Sequence, residues 1–122
     1  MKRTGPTREK AKIVIALLEK ASRKSKSAIW LDLAQRLAKP RRQRAMINLW
    51  KLDRLSVVFP RKSLVVPGKV LGNGAVSGKL SVVAFEFSAE AKRKINEAGG
   101  KALGFEEALK QKLEPKSMVI VK

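Results

Sequence analysis

Apolar residues recur at helical spacing in two segments near the start of the chain, and each set falls on one helix face. The first predicts a helix from about residue 7 to 22 and comprises Ile13, Val14, Leu17, Leu18 and Ala21. The second predicts a helix from about residue 28 to 38 and comprises Ile29, Trp30, Leu33, Ala34 and Leu37. Pro40 then ends the helical pattern, because proline has no backbone N–H donor. Trp30 keeps the register of its aliphatic neighbours, which favours a core position over stacking on a nucleobase.

Farther along, the apolar residues form short runs typical of strands, separated by helical segments. Predicted strands are 46–50, 57–59, 64–66, 80–87, 101–103 and 118–121, and predicted helices are about 51–55, 89–98 and 105–112. Ser88 is a suitable N-cap for the helix at 89–98. For the glycine-containing segment 67–74, a turn with a bulge is favoured over an RNA-contacting loop. Alternation of strands with helices favours an α/β fold.

Positive charge is concentrated in the first half of the chain. Residues 1–62 contain 18 Lys and Arg against 4 acids, whereas residues 63–122 contain 10 against 6, for a net charge of +18. Such an excess indicates a polyanionic partner, either nucleic acid or an acidic membrane surface. No apolar run approaches the roughly 20 residues that span a bilayer, so we expect a cytoplasmic protein.

The densest basic segment is 36–54, which carries seven positive side chains and one negative. Several of its arginines follow Pro40 in a predicted turn, and the planar guanidinium fork suits phosphate oxygens. With the basic N-terminal arm and a lysine of the glycine-containing segment, this stretch supplies the candidate RNA-binding residues. They are Lys2, Arg3, Arg8, Lys39, Arg41, Arg42, Arg44, Lys51, Arg54 and Lys69.

The sequence has few of the residue types that catalysis and metal binding commonly use. The chain has no Cys and no His, and its only two aspartates, Asp32 and Asp53, lie in segments that read as structural. Lys69 does not fit a phosphate-binding P-loop, because the glycine spacing and a following Ser or Thr are missing. We therefore expect no catalytic residue, metal, cofactor or small-molecule substrate. Two alternatives to RNA binding are a DNA-compacting protein and a small enzyme using the glycine-containing loop.

Several separated motifs resemble one family. They are Trp30-Leu-Asp-Leu-Ala-Gln-Arg-Leu-Ala-Lys-Pro-Arg-Arg-Gln-Arg44, Ile47-Asn48-Leu49, Val65-Val-Pro-Gly-Lys-Val-Leu-Gly72, Val83-Ala-Phe-Glu-Phe-Ser88 and the glycine pair at 99 and 100. In this order they resemble the archaeal and eukaryotic large-subunit ribosomal protein family L eighteen e, a sister of the bacterial L fifteen family.

The resemblance implies an N-terminal helical segment leading into a compact α/β core of irregular β-β-α turns. It also implies a structural, non-catalytic role in the large ribosomal subunit, with large-subunit ribosomal RNA and neighbouring large-subunit proteins as partners. We expect a single domain over residues 1–122, with a basic helical RNA-binding portion at 1–55 and an α/β core at 56–122.

Overall fold

The computed structural model describes residues 6–25, 28–39, 45–111 and 117–121, and the chain divides into two compact units. The first unit is Met1–Arg44 and the second is Ala45–Lys122. The boundary thus falls inside the basic segment 36–54. A single domain over residues 1–122 stays a prediction.

Helices α1 (Pro6–Ser25) and α2 (Ala28–Ala38) account for the described residues of the first unit, and they pack against each other. Trp30 is only 4% exposed and lies on the same α2 face as the buried Leu33 and Leu37, so its predicted core position is confirmed. On α1 the buried face is centred on Ala11, Val14 and Leu18. Ile13 points away from this face and is exposed, which corrects its predicted inclusion in the apolar stripe.

The described part of the second unit contains a parallel sheet of five strands and three connecting helices. The strands are β1 (Ala45–Asn48), β2 (Ser63–Leu71), β3 (Ser81–Phe87), β4 (Lys101–Leu103) and β5 (Met118–Ile120). The helices are α3 (Leu49–Val58), α4 (Ala89–Glu97) and α5 (Phe105–Lys110). Strand order is β1-β2-β3-β4, and β5 pairs with the first half of β2, along the edge whose second half pairs with β1. The α/β class with an N-terminal helical segment is confirmed.

Strands β2 and β3 are buried on both faces, as is usual for the centre of a parallel sheet. Leu64 and Val66 of β2, like Val82 and Ala84 of β3, belong to an apolar core with α3 and α4. The helices contribute Leu52, Ala91 and Ile95 to this core. Helix α5 contacts β3 and β4 and buries Phe105 and Ala108. This core fixes where α3 and α4 present their remaining, solvent-facing side chains.

A nine-residue connection, 72–80, joins the end of β2 to the start of β3. Because Leu64 pairs with Val82 in parallel register, the connection must return along nearly the whole length of β2. Strand β2 has nine residues and is about 30 Å long. Nine residues of extended chain also reach about 30 Å at most. The crossover therefore has no slack for a helix.

Two local predictions are wrong, one just before β2 and one in its second half. The sequence predicts a strand at 57–59, but Val57 and Val58 end α3 with 78% and 65% of their surfaces exposed. Their β-branched character is overridden by the helix that Leu49 and Leu52 anchor in the core. Residues 67–71, predicted in a turn, instead continue β2. A bulge is present, since the register to β3 shifts between Val66 and Lys69, next to a proline that cannot donate to the ladder.

The remaining elements match the predictions to within a few residues. Strand β1 ends at Asn48 and α3 begins at Leu49, so Trp50, which the sequence assigns to a strand, lies in the first turn of α3. Ser88 caps α4 as expected, its hydroxyl accepting a hydrogen bond from the Ala91 N–H at 3.1 Å. In the described ranges, no helix has both the length and the apolar character required to cross a membrane.

Candidate nucleic-acid interface

The solvent-facing side of α3 combines an aromatic ring with positive charge. Trp50 is 46% exposed, and Cζ of Arg54 lies 5.2 Å from the centroid of its ring. Lys51 is half-buried on the same helix. Nucleobases stack on tryptophan rings and on the planes of arginine guanidinium groups. This side of α3, the α3 surface hereafter, comprises Trp50, Lys51 and Arg54.

The crossover 72–80 is fastened to α4 by a single lysine. Lys94 Nζ donates to the carbonyl oxygens of Gly72 at 2.8 Å and Gly74 at 3.0 Å, and it forms an ion pair with Glu90 at 3.0 Å. Its hydrogen bond to the Glu90 carboxylate lowers the pKa of that carboxyl below its usual value, with the lysine charge as the next contribution. The three donors of the ammonium are thereby all used inside the protein. Lys94 is thus a structural residue, although a run of basic residues on a helix, such as Lys92–Lys94, is usually a solvated face.

The same crossover is fastened to α3 at two points. The N–H of Trp50 donates to the Asn73 carbonyl oxygen at 3.1 Å, which satisfies one of the free donors at the start of the helix. One turn on, Asp53 accepts from the Ser77 hydroxyl at 2.9 Å and from the Ser77 N–H at 3.1 Å. Gly74 has a positive φ of 109°, and a Cβ there would come within 2.7 Å of the Trp50 Cβ. The crossover therefore holds α3 at two positions, Trp50, which belongs to the α3 surface, and Asp53, which lies next to it in sequence.

Both aspartates have structural contacts. Asp53 holds the crossover, and Asp32 accepts a 3.1 Å hydrogen bond from Arg36 Nε one turn along α2. The expectation that these residues are structural agrees with these contacts.

The predicted RNA-binding residues are distributed as follows. Lys2, Arg3, Arg41, Arg42 and Arg44 lie outside the described residues, and Arg8 lies within α1. Lys39 is exposed directly after α2. The structure brings Lys51 and Arg54 together with Trp50 on α3.

Lys69 has different surroundings from the residues on α3. It lies in β2, and its register partners on the neighbouring strands are Met46 and Glu86. A carboxylate on the adjacent strand makes Lys69 a weaker candidate for a phosphate contact than Arg54. Whether any of the ten residues touches RNA stays a prediction.

The sequence is similar to ribosomal proteins along almost its full length. The family described as ribosomal proteins 50S-L15, 50S-L18e and 60S L twenty-seven A matches residues 29–103. The large ribosomal subunit protein eL18 of Methanopyrus kandleri is 42% identical over 114 residues, which cover 91% of this chain and 90% of that protein. The eL18 protein of Sulfurisphaera tokodaii is 38% identical over 120 residues, covering 98% and 97%. The eL18 protein of Haloarcula marismortui is 38% identical over 109 residues, covering 89% and 91%. The segment 29–103 begins in α2 and ends in β4, so it contains both the basic segment and the α3 surface.

Proposed function

Because the chain belongs to the ribosomal protein family that includes 50S-L15 and 50S-L18e, we propose that it is a structural constituent of the large ribosomal subunit that binds ribosomal RNA. It is a structural protein and not an enzyme. Neighbouring large-subunit proteins are its further partners, and the cytoplasmic large subunit is its place in the cell. Family membership, over most of the chain, is the observation that carries this proposal.

Charge supports RNA as the direct partner. Residues 1–62 contribute +14 of the net +18, and the segment 36–54 has one acid against seven bases. At this density the positive side chains repel one another, and an RNA backbone laid across them removes the repulsion while releasing its bound counterions. We propose that Lys39, Arg41, Arg42 and Arg44 form an electrostatic clamp on folded RNA. Lys2 and Arg3 of the N-terminal arm, with Arg8 in the first turn of α1, supply further phosphate contacts.

The α3 surface adds a contact of another kind. Arg54 and Lys51 offer charge, and the exposed Trp50 ring offers a stacking platform for an unpaired base. Because the crossover fixes this helix by the Asn73 and Asp53 hydrogen bonds, little conformational freedom is lost when RNA binds. Recognition would rest mostly on backbone shape, since phosphate contacts position a protein but do not read sequence.

The test is a competition between a large-subunit RNA fragment and duplex DNA of equal length, measured by filter binding at the same salt concentration. A clamp fitted to folded RNA predicts at least about tenfold tighter binding to the RNA fragment, because electrostatic attraction alone is common to both ligands. Equal affinity for the two would favour the DNA-compacting alternative.

A further inference from the structure

A second basic site lies at the end of the sheet where strands β2 and β3 begin. Here a cleft of about 230 Å³ is bordered by Arg61, Lys62 and Lys79. The lining residues, all within the described part of the chain, include no Asp or Glu. This volume is several times that of a water molecule, so the cleft has room for an anionic group. We call it the strand-start cleft.

Hydroxyl groups line the strand-start cleft between the positive side chains. Ser56 donates its hydroxyl hydrogen to the Asp53 carbonyl oxygen at 2.6 Å. The hydroxyls of Ser63 and Ser81 lie 3.1 Å apart and share one hydrogen bond, in which either oxygen is the donor. These two serines have two hydroxyl hydrogens, and the bond between them uses only one. The other hydrogen is left for a third partner. An acceptor with several oxygens meets this arrangement, and a phosphate is such an acceptor.

The charges at the two ends of the sheet also favour an anion at the end where the strands begin. In parallel α/β sheets, anions usually bind at the carboxyl ends of the strands, next to helix N-termini. Two of the three helix starts at that end carry acids in their first turns, Glu90 on α4 and both Glu106 and Glu107 on α5, and the α3 start, which has none, already gives its Trp50 N–H to the Asn73 carbonyl oxygen. These carboxylates disfavour a phosphate there. The opposite end of the sheet, where the strands begin, carries the cations of the cleft. A further lysine, Lys101, lies at the start of β4, in register with Ser81.

Arg61 has a backbone conformation that its residue type does not favour. Its φ is +63°, in the left-handed region that glycine and asparagine adopt with less strain. Arg61 is also exposed, so packing of its side chain does not explain its presence in this turn. Strain kept at an exposed charged residue is typical of binding sites.

We propose that the strand-start cleft binds a phosphate group of the ribosomal RNA backbone, with the Arg61 guanidinium and the Lys79 ammonium as its charged ligands. This inference rests on the proposed function, since it assumes that RNA is the partner. It adds a contact in the second unit that none of the ten sequence-predicted residues supplies.

The experiment compares two double variants that each remove two positive charges. Arg61→Asn with Lys79→Gln alters the cleft, and Asn tolerates the positive φ of residue 61. Lys92→Gln with Lys110→Gln is the control, because both lysines are exposed on helices and do not line the cleft. Filter binding to a large-subunit RNA fragment over a salt series is measured for each, together with its melting temperature.

The cleft variant should lose about tenfold or more in affinity at low salt and flatten the salt dependence by about one unit of slope, whereas the control should lose much less. The melting temperature of the cleft variant should equal or exceed that of the unaltered protein, since the strain at Arg61 is relieved. Equal losses for the two double variants would overturn the cleft as a site while leaving RNA binding intact. If the unaltered protein showed no preference for RNA over duplex DNA, the proposed function itself would fail.

Inorganic phosphate distinguishes the source of the anion. Amide NMR signals of residues 61–63 and 79–81 should shift on adding the RNA fragment at concentrations where inorganic phosphate leaves them unchanged. Saturation by inorganic phosphate alone, with no competition from RNA, would show a free-phosphate site and contradict the proposal.

Discussion

Replacing Arg41, Arg42 and Arg44 together by Ala is expected to lower affinity for a large-subunit RNA fragment by roughly two to three powers of ten at low salt. The reason is local: if these arginines contact phosphates, each lost contact removes the release of about one counterion. The slope of log affinity against log salt should then fall by about one unit for each contact. Filter binding over a salt series measures both quantities, after circular dichroism has shown that the variant is folded.

A matched control for this triple uses Lys92, Arg93 and Lys110, each exposed on a helix of the second unit. Arg93 pairs with Glu97 at 3.0 Å, but an exposed pair of this kind contributes little to stability. Lys94 is unsuitable, because its removal would leave the Gly72 and Gly74 carbonyl oxygens without their donor. General electrostatic attraction predicts equal slopes for the two triples. That result would contradict the clamp and leave only diffuse binding of a basic protein.

The second large effect concerns stability. Trp30→Ala should lower the free energy of unfolding by about 3–5 kcal/mol, since it removes a large ring that is 4% exposed and leaves a cavity. Denaturant unfolding gives the change. RNA affinity, measured where the variant is still folded, should change far less than stability.

Trp50→Ala is the natural comparison, because it removes the same side chain from an exposed position. The expected cost in unfolding free energy is about 1 kcal/mol or less, as for most surface substitutions. RNA affinity should fall instead, if a base stacks on this ring. A Trp30 variant with unchanged stability and poor RNA binding would reverse the two assignments.

The elements that local pattern determines were predictable from the sequence. Helix α2 was predictable because Trp30, Leu33 and Leu37 repeat at helical spacing, and α4 because Ser88 supplies a side-chain cap that acts within three residues. Strand β3 was predictable because an uninterrupted apolar run is typical of a strand buried on both faces. In each case the signal and the structure it produces lie in the same few residues.

Features that depend on contacts distant in sequence were not predictable. Val57 and Val58 have strand propensity, yet they continue a helix whose position is set by Leu49 and Leu52 in the core. The role of Lys94 depends on carbonyl groups far away along the chain, as its hydrogen bond to Gly72 spans 22 residues. From sequence alone, such a lysine is indistinguishable from a solvated one.

The candidate sites also differ in whether they depend on neighbouring residues or on residues distant in sequence. Charge density along the chain indicated the basic segment 36–54 directly. The strand-start cleft was missed because Arg61 and Lys79 are separated in sequence and meet only where parallel register aligns the starts of β2 and β3. A weak signal was present, since each residue lies within two positions of a strand start.

The central claim is that this protein is a constituent of the large ribosomal subunit, and cosedimentation in a cell extract tests it most directly. At moderate salt the protein should sediment with the large subunit through a sucrose gradient, and it should be released only as salt is raised, because its contacts to RNA are largely electrostatic. Recovery of the protein only with chromosomal DNA, and never with large subunits, would contradict the account.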